Sequence, residues 1–140
     1  MATQLPSATL SDLIGMPSDR AVLIGAVREG LSYTLFEDLA EALELAHKDL
    51  ATLLGIATRT LNTRKHTGRF TPQESDHLLR IARTYARALD FFGTPQQARD
   101  WLKRPAFAFG EETPLSRLDT ELGAEGVVTL LGQLEHGVLP

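Results

Sequence analysis

His47, His66, His77 and His136 are the side chains whose ordinary pKa suits proton transfer or metal ligation near neutral pH. Their spacing matches no metal-ligand pattern: there is no His-x-x-x-His pair, and no glycine-rich phosphate loop accompanies them. The chain contains no cysteine, which removes disulfides and thiolate metal sites. Acids are plentiful, but none lies inside an apolar run that would raise its pKa toward that of a general acid. No nucleophile or base is nominated. The expectation is a protein that is not an enzyme and needs neither metal nor cofactor.

The chemistry left is recognition. Thr58, Arg59, Thr60, Asn62, Thr63, Arg64 and Lys65 form a run of short polar and cationic side chains. Such side chains reach base edges and phosphates in a DNA major groove. They follow Leu50-Ala51-x-x-Leu54-Gly55-Ile56, the pattern of a helix-turn-helix. Ala51 is small enough for a second helix to cross close by, and Gly55 permits the positive φ of a tight turn. Ile56 and Leu61 are placed to pack inward and fix the second helix against the first. A helical hairpin with a solvated basic face would carry the same residues. Ala46 and Ala57 stand where a Ser or Thr cap is expected, at about 1 kcal/mol each if nothing compensates.

The elements that must hold this run read as helices throughout, with no alternating strand. Ser18 is placed to cap a helix through Ala21, Ile24 and Val27 that Gly30 stops. A second helix spans about Tyr33 to Leu43, and two short ones lie near 47–54 and 58–66. Thr71-Pro72-Gln73-Glu74 is a capping-box start for a helix with Leu78, Ala82, Tyr85, Leu89 and Phe92 on one stripe, closed by Gly93. Thr94-Pro95-Gln96-Gln97 repeats the signal for a short helix that Pro105 stops. A loop over Phe107-Ala108-Phe109-Gly110 leads to Thr113-Pro114, another short helix and a last one closed by Gly137. The fold class is all-α. Asp76 and Arg80 are spaced for an i, i+4 pair, and Trp101 reads as core.

A chain of 140 residues with 43% apolar and 23% charged residues is an ordinary globular composition. It has no apolar run of membrane-spanning length, and Met1–Pro6 carry no secretory signature, so a cytoplasmic location and no membrane partner are expected. The net charge of −4 hides a pattern. Residues 37–46 hold four acids and no base. Residues 47–69 sum to +4, and residues 105–140 hold six acids against Arg117. Local positive charge is what DNA binding needs, since phosphate neutralisation drives association.

From Gly30-Leu31 onward the sequence resembles the Xre/MbcA/ParS antitoxins, partners of RES-domain toxins. The matching stretches are Thr60-Leu61 with Arg64-Lys65, Glu74-Ser75-Asp76 with Arg80, Phe92-Gly93, and Ala98-x-x-Trp101-Leu102-x-x-Pro105. They continue through Thr113-Pro114-Leu115, Leu118-Asp119-Thr120, Gly123, Val127, Leu130-Leu131-Gly132 and His136-Gly137. Two departures stand out. The Gly-Gly pair usual before Thr-Pro is Gly110-Glu111, so that loop is expected to bend differently. The arginine pair usual after Thr-Leu is reduced at Thr63-Arg64-Lys65.

The resemblance implies a helix-turn-helix bundle over 30–70 that dimerises and binds its own operator, and a helical toxin-binding domain over 71–140; residues 1–29 are left unplaced. It implies a toxin that destroys NAD. Candidate toxin contacts are Phe107, Phe109, Glu111, Glu112, Glu135, His136, Gly137, Val138, Leu139 and Pro140. The two phenylalanines either fold back on the core or face the partner, and His136 is suited to a helix C-terminus. The tail after Gly137, ending in the Pro140 carboxylate, is expected to enter the toxin's NAD pocket; a frayed terminus is the alternative. The competing functions are a stand-alone transcription regulator with a C-terminal dimerisation domain, and an interaction module that no longer touches DNA. An adjacent RES-type reading frame is expected only for the antitoxin.

Overall fold

The computed structural model describes residues 19–137. Among them lie seven α-helices: α1 (Arg20–Glu29), α2 (Tyr33–Leu43), α3 (His47–Leu53), α4 (Thr58–Thr67), α5 (Pro72–Phe92), α6 (Pro95–Leu102) and α7 (Glu121–Glu135). Two 3₁₀ segments, Phe107–Phe109 and Leu115–Asp119, occupy the stretch between α6 and α7. The all-α expectation holds, and no helix here is long and apolar enough to cross a membrane. The Ser18 cap lies outside the described residues. Asp19 caps α1 instead, its Oδ1 accepting from the Ala21 N–H at 3.1 Å.

The chain forms two compact units, dividing between Ala82 and Arg83. The sequence pattern puts the break at 70/71, before the capping box. The first half of α5 instead belongs with the N-terminal unit. Ser75 is buried there, its Oγ accepting from the Leu31 N–H at 2.8 Å. The helical period runs on across the boundary without a breaker, which is why punctuation points elsewhere. Residues 20–29, unplaced by resemblance, fold as α1 of the same unit.

In the N-terminal unit the apolar stripe of α2 is buried through Leu35, Phe36, Leu39 and Leu43. Tyr33 stacks on Phe36 and on Phe70 at centroid distances of 5.3 and 5.8 Å, and Phe36 meets Phe70 tilted at 5.6 Å, all within the separation that aromatic pairs prefer. Where α4 ends, the backbone returns to the α1–α2 corner: Tyr33 N–H donates to the Gly68 carbonyl at 2.8 Å and Phe70 N–H to Leu31 at 3.0 Å. Gly30 turns that corner at φ +96°, and a Cβ there would run into the Phe70 carbonyl oxygen. Both facts demand glycine.

In the C-terminal unit Ala98, Leu102, Leu118, Val127 and Leu131 are fully or almost fully buried. Thr94 caps α6 by accepting from Gln97 N–H at 3.2 Å, and Thr120 caps α7 by accepting from Gly123 N–H at 2.9 Å. Trp101 is half-buried, its ring 5.7 Å from Phe92. The start of α7 lies so close to the second 3₁₀ segment that a Cβ on Gly123 would overlap the Arg117 carbonyl. Gly126, one turn on, faces open space. Gly123→Ala is therefore expected to cost about 1–3 kcal/mol through overpacking, whereas Gly126→Ala gains about 0.5–1 kcal/mol of helix propensity. Thermal denaturation of the two variants checks this: opposite shifts in Tm are expected.

Candidate functional site

The helix-turn-helix forms as its residues require. Ala51, Ile56 and Leu61 are buried, Gly55 turns at φ +70°, and Ile56 N–H donates to the Ala51 carbonyl at 2.9 Å. Neither Ala46 nor Ala57 supplies a side-chain cap, so α3 and α4 start without one. On α4, Thr58, Arg59, Asn62, Thr63 and Lys65 are exposed, as a groove-facing surface needs. Among the described residues no carboxylate pairs with Arg59 or Lys65. Thr60 is half-buried. The centre of the outward stripe is Arg59, Asn62, Thr63 and His66, spaced i, i+3, i+4, i+7. His66 is absent from the sequence expectation, although the same spacing rule finds it.

Arg64 departs from the outward face of α4. Expected on the DNA face, it turns back to the start of α5, where its Nε donates to Glu74 Oε1 at 2.7 Å and its Nη2 to Oε2 at 3.0 Å. The two side chains are 21% and 17% exposed. A bidentate, half-buried pair of this kind holds its geometry far better than a surface contact. Glu74 also closes the capping box. It accepts from Thr71 N–H at 2.9 Å, while its own N–H donates to Thr71 Oγ1 at 3.2 Å. One carboxylate thus fixes the end of α4 and the beginning of α5. Asp76 pairs with Arg80 at 3.2 Å, the i, i+4 contact expected on the same helix.

In the C-terminal unit the two loop phenylalanines separate. Phe109 is 7% exposed, covered by the Arg117 guanidinium 4.7 Å from its ring centroid. Its burial removes it from the direct toxin contacts the sequence suggests. Phe107 is 90% exposed. Arg117 also donates to the Phe109 carbonyl at 3.1 Å and to Glu112 at 2.9 Å. Gly110 and Glu111 sit at φ +61° and +73°. Glu111 thus holds a positive φ, a conformation that glycine accommodates freely and that costs a residue with a Cβ. Glu135 pairs with Arg87 at 2.7 Å, and His136 is the α7 C-cap residue. Val138, Leu139 and Pro140 lie outside the described residues. Among the described residues no group of three or more His, Asp or Glu is arranged to hold a metal ion.

Burial alone would raise the Glu74 pKa, but the hydrogen bonds from Arg64 and Thr71 outweigh it and hold the carboxyl below its ordinary 4.5. Glu74 in turn raises Arg64 further. A carboxyl with a lowered folded-state pKa contributes stability that is complete above its unfolded pKa and is lost as pH falls through the folded value. Glu74→Gln should therefore be less stable than wild type at neutral pH, and the difference should shrink as pH falls below about 4.5. Urea unfolding at a series of pH values measures it. A difference that stays constant into acid would contradict the role given to the carboxylate.

Two family models match the chain. The Antitoxin Xre-like helix-turn-helix domain covers residues 22–83. The Antitoxin Xre/MbcA/ParS C-terminal toxin-binding domain covers residues 87–137. The chain is 36% identical over 128 residues to Antitoxin Xre of Yersinia enterocolitica, spanning 89% of this chain and 86% of that protein. It is 35% identical over 129 residues to Antitoxin Xre of Photorhabdus laumondii, spanning 90% and 87%. With Antitoxin Xre of Pseudomonas putida it shares 36% identity over 83 residues, 59% of this chain and 52% of that one. An all-helical N-terminal unit with a helix-turn-helix, a second helical unit, and these relatives place the chain in the Xre antitoxin family.

Proposed function

We propose that this chain neutralises a RES-domain, NAD-degrading toxin by binding it directly through the C-terminal unit, and represses its own operon through the helix-turn-helix as a homodimer in the cytoplasm. The observation that carries the proposal is the pairing of a DNA-reading type of helix with a toxin-binding family domain in one chain. The outward face of α4 supports the DNA half. It offers cations at Arg59 and Lys65 for phosphates, and Asn62, Thr58 and Thr63 for base edges. Arg64 acts there by holding α4 in place.

The toxin half rests on residues 107–137 and on the short stretch that follows. A toxin that binds NAD needs cations for the pyrophosphate, and residues 105–140 hold six acids against Arg117. Complementary charge of this sort speeds encounter and aligns the partners. Glu135, His136, Gly137 and the three residues after them are assigned to the mouth of the toxin's NAD pocket.

Two measurements test the halves separately. Arg59→Ala combined with Lys65→Ala should abolish operator binding in a gel-shift assay and leave toxin neutralisation intact. Every phosphate that a cation no longer neutralises should flatten the slope of log affinity against log salt by about one. Unchanged operator affinity in the double variant refutes the DNA assignment. For the toxin, removing residues 137–140 should restore NAD loss in cells expressing the RES-domain toxin expected to be this chain's partner, while the two proteins still co-purify. Full protection by the truncated chain would leave masking by the body of the unit as the mode of neutralisation.

A further inference from the structure

Phe107 is the most exposed large apolar side chain among the described residues, at 90%. A phenylalanine held in water gains nothing for folding, and aromatic residues, phenylalanine among them, are enriched in the cores of protein interfaces. The loop that carries it is tightly bonded. Ala106 N–H donates to the Glu112 carbonyl at 2.9 Å, and the Ala106 carbonyl accepts from Phe109 and Glu111 at 3.0 and 3.1 Å. Gly110 N–H donates back to the Phe107 carbonyl at 3.1 Å. Arg117 locks the far side through Phe109 and Glu112. Glu111 is held at φ +73°, and such strain clusters where a backbone is fixed for use.

We propose that Phe107 is a pre-organised anchor that inserts into an apolar pocket on the toxin, with Arg117 as the positioning residue that keeps the loop closed behind it. The inference rests on the toxin-binding reading and deepens it. The occupant is the toxin because Phe107 lies inside the stretch matching a toxin-binding domain. The exposed Glu111 carboxylate, which Arg117 does not neutralise, further calls for a cation on that side of the receiving pocket. A rigid loop loses little conformational freedom on binding, so the apolar area Phe107 buries is retained as affinity.

The test uses the full chain and a RES-domain protein from the reading frame expected beside its gene, with affinity and rates from surface plasmon resonance. Phe107→Ala should leave Tm unchanged and weaken binding by about 30-fold or more, the range of an interface hot spot. Glu111→Gln should slow association at low salt and leave it unchanged at high salt. Arg117→Lys, which keeps the charge but loses the guanidinium fork, should weaken binding of the wild-type loop and add nothing to Phe107→Ala, since a positioning residue acts only through what it positions. If wild type binds the toxin and Phe107→Ala binds within twofold of it, the anchor is wrong and the antitoxin reading stands. If wild type does not bind that protein, the RES-toxin reading fails and the anchor with it.

Discussion

The N-terminal unit turns on one carboxylate. Glu74 receives the Arg64 fork from the end of α4 and the Thr71 N–H at the start of α5, so two helices meeting at a corner share a single acceptor. Its surroundings make the same corner from other directions: Gly68 and Phe70 bond back to the α1–α2 junction, and Ser75 takes the Leu31 N–H. A half-buried charge left without its partner costs about 1–3 kcal/mol, more than most surface contacts contribute. The corner therefore has little freedom to open partway. The angle at which α4 presents Arg59, Asn62 and Thr63 follows from it.

The C-terminal unit repeats the theme with a different residue. Arg117 commits its guanidinium to Phe109, the Phe109 carbonyl and Glu112, and its backbone carbonyl sits where any side chain at position 123 would have to go. Both units use an arginine fork, buried on one side, to join a loop or helix end to its neighbour. Arginine suits this use because its planar donors fix direction as well as distance. Neither arginine is then available as a free surface cation.

Much of the fold is legible because the chain punctuates its helices locally. Tyr33–Leu43 follows directly from the apolar spacing, and Thr71-Pro72 and Thr94-Pro95 mark real helix starts. What escapes is everything set by packing. Arg64 and Glu74 are ten residues apart across a turn, and nothing in their spacing announces a pair; the arginine reads as one more cation on a basic helix. Phe107 and Phe109 are equivalent in sequence and opposite in burial, because Arg117 selects one of them. The unit boundary falls inside α5, where helical periodicity is uninterrupted. His66 is a different matter: the spacing from Arg59 and Asn62 contains it.

The missing caps have a consequence for how the DNA-reading surface comes and goes. At 7 and 10 residues, α3 and α4 are shorter than the roughly 12–15 residues at which an isolated helix becomes marginal in water. They begin at alanines that offer their first amides no side-chain acceptor. Neither helix has an intrinsic reason to persist. The first exists because Leu50 and Ala51 are buried in the surrounding unit, the second because Leu61 is buried and Glu74 holds its far end. Recognition by α4 is thus borrowed entirely from tertiary structure: when the unit opens, the surface does not loosen by degrees but ceases to exist, and it returns whole only when the unit closes again.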